Sequence, residues 1–150
     1  MDTKTTTQAL MDAIQMGNFE KAKSYLSNNF KFSGPVPQPI SGPEWIGLSA
    51  NLKAAFPDLN YQFKLESVVG DTANITAQLK GTHKGNLDLT AMNMGVIPAT
   101  GKSFNAALEH GKVRVRDGKI ISLANEPTEG AGLMAILGQL GIEVPHAHAV

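Results

Sequence analysis

The sequence predicts an α+β domain in which helices pack on one face of a curved antiparallel sheet. Two observations carry that prediction. Apolar residues recur at helical spacing through most of the first 56 residues, and from Tyr61 onward they alternate with polar residues at period two. The turn pairs Gly70-Asp71 and Asp117-Gly118 divide the alternating stretches into hairpins. At 150 residues the chain is most simply a single domain over 1–150, large enough to bury a core without staples.

Over residues 5–16, Leu10, Met11, Ile14 and, more loosely, Met16 share a helical stripe, threonines are available as N-caps, and Gly17-Asn18 ends the helix. A second short helix is expected over 19–26, with Phe19, Ala22 and Leu26 on one stripe, followed by a turn at Asn28-Asn29 and a strand over 30–33. Pro35, Pro37 and Pro39 stand at alternate positions, which removes backbone donors and forces an extended connector. A third helix starts near Pro43, a favourable first-turn residue, and runs through Trp45, Leu48, Leu52, Ala55 and Phe56 until Pro57 stops it.

In the hairpin that follows, Tyr61, Phe63 and Leu65 point away from Gln62, Lys64 and Glu66. Ala73, Ile75, Ala77 and Leu79 share a face that continues through Gly81 to His83, so an imidazole stands where a pocket lined by the sheet opens. Residues 84–100 read as a long irregular loop, and loops of that length in small domains are usually functional or disordered. Met92, Met94, Val96 and Ile97 are apolar enough to fold over the pocket mouth as a lid; the alternative is a satellite hydrophobic cluster.

The stretch 103–116 contains a parity break, because Phe104, Ala106 and Leu108 occupy even positions and Val113 and Val115 odd ones. A bulge near Gly111 repairs it, placing His110 on the inner face and turning Glu109 outward. The strand over 119–125 ends at Pro127, and residues 130–140 read as a short apolar helix over one end of the pocket. From about residue 143 the chain reads as a frayed tail. His146 and His148 there, with only Glu143 nearby, make a poor metal site, and no other metal or cofactor motif occurs.

Lys+Arg 13 balances Asp+Glu 13 with the basic residues scattered, so the footprint of a nucleic-acid binder is missing. The absence of cysteine excludes thiolate chemistry and fits a reducing compartment. No signal-peptide pattern or long apolar run is present, and a soluble cytoplasmic protein without a membrane partner is the expectation.

The strings MDAIQMGNFEKAKSYL, AAFPDL, VVGDTANITAQLKGTHKG, IPATGK, VRVRDGKII and GLMAILGQLG occur in that order along the chain. Together they resemble the SnoaL-like polyketide cyclases of the NTF2-like superfamily, whose members include ketosteroid isomerase and limonene epoxide hydrolase. The resemblance implies a cone-shaped α+β barrel and a homodimer formed through the outer face of the sheet. In such cyclases an aspartate just after the DGKI strand, within a tryptophan-aspartate pair, is the general acid/base, assisted by a histidine on the preceding strand. Aligned from Asp117-Gly118-Lys119-Ile120, the tryptophan position falls on Ala124 and the aspartate position on Asn125, a departure that removes the family's proton carrier. The histidine position falls on Gly111, beside His110.

Two readings follow. In the first, the chain is a cyclase or isomerase acting by general acid/base chemistry on a small apolar carbonyl compound, with His83 and His110 moving the proton or holding the enolate oxygen and Asn125 donating to it. In the second it is a non-catalytic module that keeps the pocket and has lost the acid. Tyr25, Trp45, Phe63, Met92 and Met94 are the candidate pocket-lining residues. Asp88 is a candidate to orient His83, whereas parity turns Glu126 away from Asn125 and into solvent. A scaffold that recruits a protein partner through its sheet face is a third, weaker reading.

Overall fold

The computed structural model describes residues 2–34, 38–90 and 93–142. Helix α1 (Thr3–Met16) is capped by Asp2, whose carboxylate accepts the Thr5 N–H at 2.7 Å, and it ends on Gly17 at φ 76°. It buries Leu10, Met11, Ala13 and Ile14. Helix α2 (Phe19–Ser24) is shorter than the apolar stripe predicts. Leu26 instead opens β1 (Leu26–Ser33), because the Tyr25 carbonyl accepts the Ile120 N–H and draws the chain into the sheet. After β2 (Ile40–Ser41), α3 (Gly42–Ala55) begins in a capping box: Ser41 and Glu44 each bond the other's backbone N–H.

The hairpin of β3 (Lys64–Val69) and β4 (Thr72–Ala77) turns at Gly70, φ 61°, where a glycine costs least. The six-stranded sheet is completed by β9 (Glu109–Arg116) and β10 (Lys119–Asn125), in the order β2-β1-β10-β9-β4-β3. One pairing departs from the all-antiparallel expectation: β1 runs parallel to β10. The core fills the space between the helices and the inner face, from Leu10, Ile14, Phe30, Trp45 and Phe56 to Ile75, Val113 and Ile120. Residues 103–116 are two strands, β8 (Ser103–Asn105) and β9, rather than one. β8 pairs with β5 (Lys80–Thr82) in a separate ribbon.

The parity break is therefore absorbed in residues 106–108, where the Ala106 and Ala107 N–H groups bond Leu79 and Gly130 and Leu108 is left 44 % exposed. From Glu109 on, the alternation is strict, with Glu109, Gly111, Val113 and Val115 buried and His110, Lys112, Arg114 and Arg116 exposed. No bulge forms at Gly111, which stays in register with Ile75 and Asn125. The expected orientations of Glu109 and His110 are thus reversed: Glu109 faces the cone and His110 faces away.

The loop over 84–100 holds a small ribbon of its own, β6 (Leu87–Asp88) with β7 (Val96–Ile97). Leu87 and Leu89 are fully buried, and Met94 and Ile97 pack on the core. Asn51 of α3 donates to the Asp88 carbonyl. The C-terminal helix is α4 (Leu133–Gln139), and the Gln139 amide exchanges two hydrogen bonds with the Asn105 backbone, fastening α4 to β8. Met92 and the tail from residue 143 lie outside the described residues. Among the described residues no helix is long and apolar enough to cross a membrane.

Candidate functional site

A buried imidazole and a buried carboxyl face the interior, one in the loop after β5 and one at the start of β9. His83 is fully buried. Thr82, the residue before it, is held by Asp58, whose carboxylate accepts the Thr82 N–H at 2.7 Å and its hydroxyl at 2.9 Å. The His83 Nδ1 accepts the Thr100 N–H at 3.2 Å and lies 3.0 Å from the Thr100 hydroxyl. An accepting Nδ1 leaves the neutral ring's proton on Nε2, which is buried without a partner. The ring lies 5.4 Å from that of Phe56, and burial holds the imidazole below its ordinary pKa of 6.5.

The glycines of the Gly81-Thr82-His83-Lys84-Gly85 string have packing reasons. A Cβ on Gly81 would stand 3.3 Å from Phe56 and Phe104, and one on Gly85 would collide with the Ala54 carbonyl oxygen. Lys84 and Gly85 both donate to the Ala55 carbonyl. The strings containing Asp58, His83 and Thr100 therefore meet in one clasp. His83 makes no hydrogen bond to Asn125, His110 or a carboxylate among the described residues. Asp88 does not orient it, since its carboxylate accepts the Thr90 N–H at 3.0 Å.

The second group is Glu109, 8 % exposed at the first position of β9 and paired across the sheet with Ala77. Burial raises its carboxyl above the ordinary value of 4.5. On the neighbouring strand Asn125 is partly buried, and its amide donates to Glu109 Oε2 at 3.4 Å. This is a long hydrogen bond, and it joins Asn125 to the only buried carboxylate among the described residues. Counting inward faces from Arg116 back toward Glu109 finds this carboxylate; counting forward from Phe104 carries the parity error through it.

The other candidates are spread through the fold. His110 is exposed on the outer face, where Glu66, Asn74, His110, Lys112 and Glu126 line a groove of about 320 Å³. Tyr25 is partly buried, in a surface groove between α1 and α2 lined also by Asp12, Met16 and Lys21. Trp45 is buried against Phe30 and Phe32, with ring centroids 5.5 and 5.9 Å away. Phe63 stacks on Tyr61 at 4.8 Å. The Tyr61 hydroxyl is buried without a hydrogen-bond partner, and burial pushes its phenol well above the ordinary value.

The model of the SnoaL-like polyketide cyclase family matches residues 4–125. Among solved structures, a protein from Jannaschia sp. CCS1 described as a SnoaL-like polyketide cyclase superposes with a TM-score of 0.70 at 20 % identity, covering 95 % of this chain and 93 % of that one. IdmH from Streptomyces antibioticus, described as a polyketide cyclase, gives 0.69 at 23 % identity over 95 % of this chain and 100 % of its own. An epoxide hydrolase of the LEH-like type from M. tuberculosis gives 0.62 at 13 % identity over 93 % and 92 %. At these identities the superpositions establish the cone-shaped NTF2-like fold, which several chemistries share. No curated protein matches the chain. The matched span runs from the first turn of α1 to Asn125, the last residue of β10, and on that span this chain belongs to the SnoaL-like polyketide cyclase family.

Proposed function

We propose that this chain binds a small apolar carbonyl compound in its cone and moves a proton there, as a cyclase or isomerase, with Glu109 as the proton carrier. The observation that carries the reading is the buried Glu109 carboxyl, raised by desolvation and hydrogen-bonded to Asn125. A carboxyl raised above its ordinary value by burial is a stronger base than a solvated one, which suits general acid/base work. Glu109 Oε1 takes the proton α to the carbonyl while the C–H electron pair moves to the enolate oxygen. Asn125 has two amide hydrogens, so one holds Glu109 and the second is free for that oxygen. In a cyclisation the enolate carbon then bonds a second carbonyl carbon, and the protonated Glu109 returns its proton to the new alkoxide.

The chemistry is read at Glu109 and Asn125 rather than at His83 or His110, because His83 is engaged with Thr100 and His110 faces away from the cone. One observation favours the non-catalytic module, namely the amide at the aspartate position. The homodimer is read through the outer face, where Glu66 and Glu126 lie beside Lys112 and His110, a mixed-charge surface able to complement itself about a two-fold axis. A cysteine-free chain suits the cytoplasm.

The test is α-proton exchange of a panel of apolar enolisable ketones in D2O, followed by NMR. Wild type is expected to exchange a bound ketone, and Glu109→Gln to lose about 10²–10⁴-fold of that rate. Equal rates in the two proteins would remove Glu109 from the chemistry, and ketone binding without exchange would leave the non-catalytic module.

A further inference from the structure

Asn125 is packed between two glycines. A Cβ on Gly111 would lie 2.5 Å from the Asn125 Oδ1, and a Cβ on Gly34 would lie 2.9 Å from the Asn125 Cβ and 3.0 Å from its backbone oxygen. Gly34, at φ 143°, has a backbone that itself favours glycine. Gly111 is different. It lies in regular strand pairing with Ile75 and Asn125 and is not among the residues at positive φ, so its backbone accepts any side chain. What a side chain there would displace is the Asn125 amide oxygen, the end of a rotatable side chain, which occupies the hollow where a Cβ would stand. With that oxygen over Gly111, the amide nitrogen is left to face Glu109 Oε2.

We infer that Gly111 is a positioning residue for the proton carrier: its missing side chain leaves room for the Asn125 amide to take the orientation that donates to Glu109. The inference rests on the proton-transfer reading of the Glu109 site and supplies its internal logic. The resemblance places a histidine at Gly111 and an aspartate at Asn125. Here both are replaced, and the replacements fit each other, since the glycine makes room for the amide and the amide holds a carboxylate two residues earlier on the same strand face. In this chain the carboxylate stands on β9 and the amide that bonds it on β10.

The test is a double-mutant cycle read by carboxyl 13C NMR titration of Glu109 in the ligand-free protein, with wild type, Gly111→Ala, Asn125→Ala and the double variant. Losing a donor to the ionised carboxylate raises its titration, so both single variants are expected to titrate higher than wild type. With the amide already gone, Gly111→Ala is expected to add nothing. The inference is overturned if Gly111→Ala titrates like wild type, or if it shifts Glu109 equally in the Asn125→Ala background. Should Gly111→Ala alone fail to fold, the double variant decides. A folded double variant supports the steric claim, and an unfolded one shows that Gly111 is needed for another reason. The cycle uses no ketone, so a coupled Gly111–Asn125–Glu109 unit in a protein without ketone exchange would sink the enzyme reading and leave the positioning intact. Exchange that depends on Glu109 without coupling would do the reverse.

Discussion

The fold treats its buried imidazole, His83, and its buried carboxyl, Glu109, in opposite ways. His83 is sealed at 0 % exposure, its Nδ1 occupied by Thr100, its ring against Phe56 and its strand tied to Asp58. Glu109 stands at the end of the sheet with 8 % exposure, one oxygen bonded to a partly exposed amide. Burial disfavours the charged form of each, lowering the histidine and raising the glutamate. Each group is bonded to a residue that reaches the surface, Thr100 for the histidine and Asn125 for the glutamate, so neither desolvation nor access alone marks an active group. Bonding separates them: the Thr100 backbone holds the histidine's accepting nitrogen, whereas Glu109 Oε1 takes no hydrogen bond among the described residues.

The comparison can be broken at either end. The largest stability effect belongs to His83→Ala, which removes the acceptor of the Thr100 N–H and empties the space beside Phe56. A loss of about 2–4 kcal/mol is expected in urea unfolding, with ketone exchange in the folded fraction kept within a few-fold of wild type. A stable His83→Ala protein with abolished exchange would reverse the assignment. Asn125→Asp comes next. It replaces a donor with a second carboxylate next to Glu109, across a contact now 3.4 Å long, so the pair should titrate in two separated steps, with the upper one above the wild-type Glu109. Two independent titrations in the carboxyl 13C spectrum would mean that the side chains had moved apart.

The pH dependence of stability sharpens the contrast because the two groups act with opposite sign. His83 has a folded pKa depressed below 6.5, so its contribution is complete above that value and is lost as pH falls through the folded one. Glu109 has a folded pKa raised above 4.5, so its contribution is complete below that value and is lost as pH rises through the folded one. Glu109→Gln should therefore raise Tm at pH 7 by roughly 2–4 °C and much less at pH 4. An equal change at both pH values would assign the effect to packing. The smallest expected effect is that of His110→Ala. An exposed residue on the outer face should change stability by less than about 0.5 kcal/mol and leave exchange untouched.

Much of the fold was legible because periodicity and punctuation are local. Gly17, Pro57, Gly70 and the Asp117-Gly118 turn each end an element where backbone chemistry requires it. The strand at Leu26 was hidden because its cause is a hydrogen bond from Ile120, far away in the sequence. The site is less legible in the sequence than the fold. The strings that carry the family resemblance include Asp58, His83 and Thr100, and those residues turn out to form the clasp. Glu109 was missed because one residue of slippage in 106–108 inverts the face of everything counted through it.

Proton transfer is proposed at Glu109 and not at His83. The direct measurement is the α-proton exchange rate of one bound ketone, compared among wild type, Glu109→Gln and His83→Gln, each verified as folded by its amide NMR spectrum. The account predicts exchange lost in Glu109→Gln and retained in His83→Gln. Exchange retained in Glu109→Gln and lost in His83→Gln would contradict it.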